Sequence, residues 1–291
     1  MHARTAAVTS TALLGAVALL LPAHDARAGI AATHAVVVAH RGASSLAPEN
    51  TLDAVDEAAA LGIAWVENDV QRTKDDELVV IHDDNLRRTT NVEEVFPDRA
   101  PWKVRDFTAA EISRLDAGSW FGATYAGARV PTLKQYMERV EHNHQKLLLE
   151  IKNPELYPGI EQQTLKLLSN EGWLDRRHLS SRLIVQTFSA DCLRTVHELR
   201  PEVRTGLLGA PAKADLARYS VFADLINPSH TAVSRGYVDA VHALKGPHGT
   251  PMRVFVWTVD DAATARAVAG YGVDGVITNK PDVVRRALYW F

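Results

Sequence analysis

The chain has 291 residues, a formal net charge of -3, 46% hydrophobic residues and 23% charged residues. This is the composition of a soluble globular protein, and the single Cys together with the ordinary Gly and Pro content excludes disulfide-stabilised, collagen-like and disordered classes. No basic block is present to bind a polyanion nonspecifically, so we expect no nucleic-acid partner.

The first 28 residues differ from the rest of the chain. An apolar run from Ala12 to Leu21 is closed by Pro22 and is followed by Ala26-Arg27-Ala28. The run is shorter than the roughly 20 residues that a membrane span needs, and the small residues suit a cleavage site. The pattern therefore predicts a signal peptide over residues 1–28, cleavage near Ala28/Gly29 and a secreted mature protein, extracellular or periplasmic. No Cys directly follows the run to carry a lipid there, so we expect no stable membrane anchor.

Short apolar segments alternate with amphipathic ones over the remaining chain, residues 29–291. Repeated βα units of this number predict one (β/α)8 TIM barrel, with a doubly wound sheet as the alternative. The eight predicted strands are Ala35 to Ala39, Trp65 to Val70, Lys146 to Ile151, Leu183 to Gln186, Arg204 to Leu208, Ala223 to Ile226, Arg253 to Trp257 and Gly275 to Thr278. The predicted helices are Thr51 to Leu61, Leu133 to His142, Ile160 to Leu168, Ala190 to Leu199, Val233 to Leu244, Ala262 to Val268 and Pro281 to Tyr289.

One segment interrupts this alternation. Residues 83–130 are rich in Arg, Asp, Gly and aromatic side chains and show no clear helical period. We interpret them as an insertion between the second and third main strands, and loops of this length usually form a wall or lid over a site.

Charged side chains concentrate where the predicted strands end, which is the catalytic end of a barrel of this kind. Each such residue is ordinary when taken alone. Together they form a set, and side chains two positions apart on a strand point to the same face. The set consists of His40 and Arg41 after the first strand, Glu67 and Asp69 on the second, His82 after a short extended run, and Glu150 and Lys152 at the end of the third.

The three carboxylates of this set predict a metal ion. Glu67, Asp69 and Glu150 would repel one another at the barrel mouth unless a cation neutralised them. Hard oxygen ligands suit Ca²⁺ or Mg²⁺ rather than Zn²⁺, and outside the cell we favour Ca²⁺. Two His with Arg41 and Lys152 add proton transfer and anion binding near neutral pH, which indicates phosphoryl chemistry.

Other residues are weaker candidates. Glu49, Gln186, Phe188 and Trp257 lie near strand ends and are candidates for the substrate pocket, and Glu49 is also a candidate to support the metal or His40. Asn50 is a candidate N-cap of the first helix. Cys192 is expected in the core, on the helix that follows Ser189.

Several strings of the sequence resemble the glycerophosphodiester phosphodiesterase family. The most specific are HRGASSLAPENT from His40, ENDVQRTKDDELVVIHD from Glu67 and LLLEIK from Leu147. RRTTN, VPTL, VQTF, VWTVD and GVITNKPD follow the same family order over the rest of the chain. The family often has Asp where this chain has Asn279, to which we assign no catalytic role.

The resemblance implies a TIM barrel with an insertion before the third main strand. It implies that Glu67, Asp69 and Glu150 bind one divalent metal ion and that His40 and His82 are the acid and base, in either order. Arg41 and Lys152 would contact phosphate. The implied reaction converts a glycerophosphodiester to glycerol 3-phosphate and an alcohol, through attack by the neighbouring glycerol hydroxyl and a cyclic phosphate.

Two other functions remain as alternatives. One is a phospholipase of the sphingomyelinase D group, which is disfavoured because that group tends to carry Asp where this chain has Glu150. The other is a catalytically idle phosphodiester-binding wall protein, which is disfavoured because the catalytic set is complete. Head-group preference and oligomeric state do not follow from the sequence.

Overall fold

The structure of the protein is a computed structural model that describes residues 1–2 and 35–289. The predicted signal peptide therefore lies outside the described residues from position 3 onward, and its cleavage site lies outside them entirely. The first predicted strand begins at Ala35, so all eight predicted barrel strands fall within the described part of the chain.

Eight parallel strands close into a barrel within residues 35–289. The first strand pairs with the second on one side and with the last on the other, which closes the ring. A ninth, short strand runs antiparallel to the second and lies outside the ring. The strands are β1 Val36–Ala39, β2 Trp65–Arg72, β3 Leu78–Val80, β4 Lys146–Ile151, β5 Leu183–Thr187, β6 Thr205–Leu208, β7 Leu225–Asn227, β8 Arg253–Val256 and β9 Gly275–Thr278.

Helices follow the strands and cover the outside of the barrel, and two short helices lie within residues 83–130. They are α1 Leu52–Ala60, α2 Val92–Val95, α3 Ala109–Ile112, α4 Leu133–His142, α5 Ile160–Asn170, α6 Arg176–Ser181, α7 Ala190–Leu199, α8 Leu216–Tyr219, α9 Arg235–His242, α10 Ala262–Gly270 and α11 Pro281–Tyr289. No helix among the described residues has both the length and the apolar character that crossing a bilayer requires.

The prediction of a TIM barrel is confirmed, with all eight main strands in the predicted places. Helices α2, α3, α6 and α8 were not predicted, because helices of four to six residues are too short to show an amphipathic period. Cys192 is buried on α7, as predicted.

Alternation along the strands separates two layers of core. One residue from each of seven barrel strands fills the interior, and the opposite faces pack against the helices. On β2 the inward series that begins at Trp65 continues through Glu67, Asp69 and Gln71. The inward-facing side chains of β2 are thus apolar at the amino end of the strand and polar at its carboxyl end.

The segment from residue 83 to 130 is an insertion with a small core of its own. Short helices and turns wrap around a cluster that includes Leu86, Phe107, Ile112 and Leu115, each at most 1% exposed. This cluster also contains Val79 of β3, so the insertion is packed against the barrel edge through β3.

Candidate active site

Strand register brings three carboxylates together at the carboxyl end of the barrel. Asp69 of β2 is the direct partner of Glu150 on the parallel neighbour β4, and Glu67 precedes Asp69 by two positions on the same face. All three are at most 5% exposed, and one oxygen of each lies within 4.8 Å of the others. The sequence predicted this cluster, and the structure assembles it.

The electrostatics of these carboxylates fit a bound cation. Burial, and then the charges of Asp69 and Glu150, raise the pKa of Glu67 well above its usual value. Burial and the Asp69 charge likewise raise the pKa of Glu150 to about 7. Glu67 Oε1 and Asp69 Oδ1 are buried without a hydrogen-bond partner among the described residues. Unpartnered hard oxygens that repel one another are the donor set that Ca²⁺ or Mg²⁺ binds.

Two basic side chains border this cluster. Lys152 Nζ lies 2.9 Å from Glu150 Oε1 and 3.7 Å from Asp69 Oδ1. Arg41 Nε lies 3.4 Å from Asp69 Oδ2, and the Arg41 backbone N–H donates to Glu67 Oε2 at 2.9 Å. The site therefore holds fixed positive charge beside its negative charge, as binding of a phosphodiester anion requires.

The backbone at Arg41 is held in an uncommon conformation. Arg41 has a φ of 58°, in the left-handed region that costs a non-glycine residue roughly 1 kcal/mol or more, and Gly42 follows at 79°. A Cβ atom on Gly42 would lie 2.6 Å from Ala54. The Gly thus permits the tight turn that aims the Arg41 amide at Glu67.

His40 is held by residues from the other end of the chain. Its Nδ1 lies 2.7 Å from Asn279 Oδ1, and Asn279 Nδ2 donates to Asp260 Oδ2 at 2.8 Å. A carboxylate only accepts, so the amide nitrogen of Asn279 faces Asp260 and its oxygen faces His40. His40 Nδ1 is therefore the donor. Burial, and then the Arg41 charge, lower the pKa of His40 to about 4, which keeps the ring neutral at neutral pH.

His82 has an anionic partner instead. Its Nδ1 lies 2.7 Å from Asp83 Oδ1, and Arg88 holds the same carboxylate. The hydrogen bond from His82 and those from Arg88 together place the pKa of Asp83 far below its usual range, although burial opposes this. Buried Gln71 fixes the main chain here, donating to the carbonyls of residues 81–83.

The two His face one cavity at the barrel mouth, which we call the mouth cavity. Phe188 and Trp257 form one wall, with ring centroids 5.6 Å apart and nearly perpendicular rings. Phe188 is 53% exposed, so this wall is also the rim. The lining residues are His40, Arg41, Glu67, His82, Glu150, Lys152, Gln186, Phe188, Leu208, Trp257, Thr258 and Ile277.

Three residues have contacts other than those expected from the sequence. Glu49 does not line the mouth cavity, since its carboxylate binds Arg41 and Arg88. Asn50 is not the N-cap of α1: Thr51 is, while Asn50 Nδ2 donates to Asp69 Oδ2 at 2.8 Å. Asn279, to which no catalytic role was assigned, orients His40.

Four further residues of the site were not predicted, namely Asp83, Arg88, Gln71 and Asp260. Strand alternation could have indicated Gln71, because it is the next inward-facing position of β2 after Glu67 and Asp69.

Known proteins match most of the chain. The profile of the "Glycerophosphoryl diester phosphodiesterase family" matches residues 40–283. The chain is 35% identical over 258 residues to the glycerophosphodiester phosphodiesterase of Caldanaerobacter subterraneus subsp. tengcongensis, covering 86% of this chain and 96% of that protein. It is 32% identical over 265 residues to the glycerophosphodiester phosphodiesterase of Bacillus subtilis, covering 86% and 85%.

Among solved structures, it resembles an Oleispira antarctica phosphodiesterase in complex with the product sn-glycerol-3-phosphate. The two share 28% identity and a TM-score of 0.72, over 87% of this chain and 96% of that chain.

Proposed function

The chain belongs to the glycerophosphoryl diester phosphodiesterase family, and from this membership we propose how it acts as a glycerophosphodiester phosphodiesterase. The proposal is a secreted enzyme that depends on one divalent metal ion and uses His40 and His82 as a base and acid pair. Its substrate is a small glycerophosphodiester, and its products are glycerol 3-phosphate and an alcohol.

One observation carries the proposal. The mouth cavity brings two His, two basic side chains and two of the three clustered carboxylates, Glu67 and Glu150, into contact with the same space. Each class of group has a separate task in cleaving a phosphodiester: binding the anion, stabilising added negative charge and moving protons.

Glu67, Asp69 and Glu150 would hold the metal ion. Ca²⁺ accepts such a flexible carboxylate set and is favoured over Mg²⁺ for a secreted enzyme. When bound, the ion supplies Lewis-acid stabilisation of the negative charge that develops on the phosphoryl oxygens. Arg41 and Lys152 would bind the same phosphate from the side and orient it.

The partners of the two His support one assignment of their roles. His40 donates from Nδ1 to the neutral Asn279, so the neutral ring presents an unprotonated Nε2 to the cavity, as a base requires. His82 Nδ1 instead donates to the carboxylate of Asp83, which orients the ring, and we assign His82 as the acid that gives a proton from Nε2.

The first step would form a cyclic phosphate. His40 Nε2 accepts the proton of the glycerol hydroxyl beside the phosphate, and that oxygen bonds to phosphorus. The bond from phosphorus to the leaving alcohol breaks, and His82 gives its Nε2 proton to the departing oxygen. The alcohol leaves, with His40 now charged and His82 neutral.

The second step would reverse these roles. His82 accepts a proton from water, whose oxygen bonds to phosphorus as the ring opens. His40 returns its proton to the glycerol oxygen, so glycerol 3-phosphate is released and both His regain their starting states. The cost of losing either group is roughly 10²-fold or more in turnover.

The test is a comparison of products. We expect release of glycerol 3-phosphate from glycerophosphocholine and no release of choline from sphingomyelin, and the reverse result would indicate a sphingomyelinase D. His40→Ala and His82→Ala should each lower turnover by about 10²-fold while His142→Ala, on an exposed face of α4, does not. A diester without the adjacent hydroxyl should resist cleavage, and its rapid hydrolysis would exclude the cyclic phosphate.

A further inference from the structure

Arg88 lies outside the mouth cavity, yet it connects two of the side chains that hold catalytic groups. Its Nε and Nη2 atoms donate to the carboxylate of Asp83 at 2.7 and 2.9 Å. Its Nη1 and Nη2 atoms donate to the carboxylate of Glu49, both at 2.8 Å. Four of the five N–H groups that a guanidinium carries are therefore used in one bridge between two carboxylates.

Each of these carboxylates also holds a residue of the mouth cavity. Asp83 Oδ1 accepts from His82 Nδ1 at 2.7 Å, and Glu49 Oε1 accepts from Arg41 Nη1 at 2.7 Å. The result is a continuous chain of ionic hydrogen bonds in the order His82, Asp83, Arg88, Glu49, Arg41, which we call the Arg88 bridge.

The bridge joins two parts of the protein that lie far apart in the sequence. Glu49 belongs to the loop between β1 and α1, whereas Asp83 and Arg88 belong to the start of the insertion. The side chains of Glu49 and Asp83 are 13% and 24% exposed, and that of Arg88 is 45% exposed. Arg88 is thus on the outer side of the bridge and cannot reach a phosphate in the cavity without leaving both carboxylates.

We propose that Arg88 is a positioning residue that couples the proton donor His82 to the phosphate-binding Arg41. It fixes the Asp83 carboxylate so that the His82 ring keeps its Nε2 directed at the leaving alcohol. At the same time it fixes Glu49, which orients the guanidinium of Arg41. This proposal rests on the proposed function, because it uses the acid role of His82.

The chemistry of the bridge requires Arg rather than Lys. A planar guanidinium offers donors along two edges and can grip two carboxylates at once, whereas an ammonium is a point charge that cannot keep both pairs bidentate. Lys at position 88 would preserve the charge but loosen both carboxylates. The variant Arg88→Lys therefore distinguishes positioning of the two carboxylates from neutralisation of their charge.

The chain offers a matched control in the preceding residue. Arg87 has the same side chain on the same segment, but its Nε pairs with Glu93 at 2.9 Å and its side chain is 65% exposed. No hydrogen bond in the described part of the chain links the Arg87 side chain to His82 or Arg41.

The experiment compares two leaving groups in Arg88→Gln, Arg88→Lys and Arg87→Gln, each checked by circular dichroism and thermal unfolding. Glycerophosphocholine releases an alcohol that needs a proton from His82, whereas a p-nitrophenyl ester of glycerol phosphate releases a stable anion that does not. We expect Arg88→Gln to lower kcat on glycerophosphocholine about 10-fold or more and on the p-nitrophenyl ester several-fold less. Arg88→Lys should fall between Arg88→Gln and wild type, and Arg87→Gln should match wild type on both substrates.

Two results would overturn the proposal. Equal losses on both substrates would mean that Arg88 does not position the proton donor His82, and equal behaviour of Arg88→Gln and Arg87→Gln would mean that the bridge positions neither His82 nor Arg41. If Arg88→Gln does not fold, the test uses Arg88→Lys instead. The quantity compared is then the loss of kcat on glycerophosphocholine relative to the loss on the p-nitrophenyl ester. A wild-type enzyme inactive on both substrates would overturn the proposed function and the role of Arg88 with it, whereas an active wild type with an unaffected Arg88→Gln overturns the role of Arg88 alone.

Discussion

The Nδ1 atom of His40 lies 2.7 Å from the Oδ1 atom of Asn279, although 239 positions separate the two residues in the sequence. The contact exists because β1 and β9 pair in the closed barrel, so the residues that follow these strands are neighbours. Asp260 fixes the Asn279 amide from its other side. The tautomer of His40 is therefore determined by Asn279 and Asp260, which follow the last two strands, β9 and β8.

Replacing Asn279 with Ala should impair the base without removing it. The His40 ring would lose the acceptor at Nδ1 and part of its tautomer preference, so we expect kcat to fall by up to about 10²-fold. Binding of glycerol 3-phosphate should change little, since Arg41 and Lys152 are untouched. Steady-state kinetics measures kcat, and calorimetry measures the binding of glycerol 3-phosphate. The variant Lys280→Gln, at the exposed neighbouring position, is the control. Wild-type kcat in Asn279→Ala would contradict the orienting role.

Glu67→Gln should lower metal affinity and activity together. The variant keeps the side-chain volume but removes one negative oxygen from the carboxylate cluster, and a loss of about 10-fold or more in affinity is expected. Asp69→Asn and Glu150→Gln should behave in the same way. Calorimetric titration with Ca²⁺ and Mg²⁺ measures affinity directly, and Glu93→Gln on the insertion surface is the control. Full wild-type activity in saturating chelator would exclude metal dependence.

Phe107→Ala should destabilise the protein through the insertion. Phe107 is fully buried in the core of residues 83–130, and truncating such a ring costs about 3–5 kcal/mol. Because the insertion carries Asp83 and Arg88, activity should decline at temperatures below global unfolding. Denaturant unfolding and temperature-dependent activity test this, with Leu199→Ala, at a 42% exposed position, expected to lie within about 0.5 kcal/mol of wild type. Equal stability of the two variants would contradict a packed insertion.

His242 should stabilise the fold at low pH and not at high pH. The hydrogen bond with Asp274 at 2.8 Å raises the pKa of His242, which also lies in the last turn of α9. A raised folded-state pKa gives stability that is complete below the unfolded value of about 6.5 and is lost as pH rises through the folded value. His242→Gln should therefore cost about 0.5–1 kcal/mol in unfolding free energy near pH 5.5 and less near pH 9. A cost that does not vary with pH would contradict the ion pair, and exposed His142→Gln serves as control.

The proposed signal peptide fixes where a secreted protein would begin. If residues 1–28 are a signal peptide, the released protein should start near Gly29, because small residues at Ala26 and Ala28 suit the peptidase. Mass spectrometry of secreted material tests this, and Ala28→Leu should slow processing. Released protein that still contains residues 12–21 would contradict the leader.

Much of the fold and part of the site could be predicted from the sequence because they depend on local regularity. Alternation along β2 places Glu67 and Asp69 on one face whatever else the chain does. Repeated βα units then leave few architectures in which all apolar faces are buried, and the carboxyl ends of the strands meet at one mouth. The positions of His40, Glu150 and Lys152 follow from the same rule.

The tertiary structure alone determined which groups hold the catalytic side chains. Asn50 has a sequence position suitable for a helix cap, but closure of β1 onto β2 offers its amide the buried carboxylate of Asp69, and Thr51 caps the helix instead. Arg88 and Glu49 lie 39 positions apart, and nothing periodic in the sequence connects them. A hydrogen bond depends on a few tenths of an ångström and on angles, whereas a strand or helix depends on a pattern repeated over many residues. The repeated pattern can therefore be identified in the sequence, whereas a single hydrogen bond forms only when the folded barrel brings its two residues together.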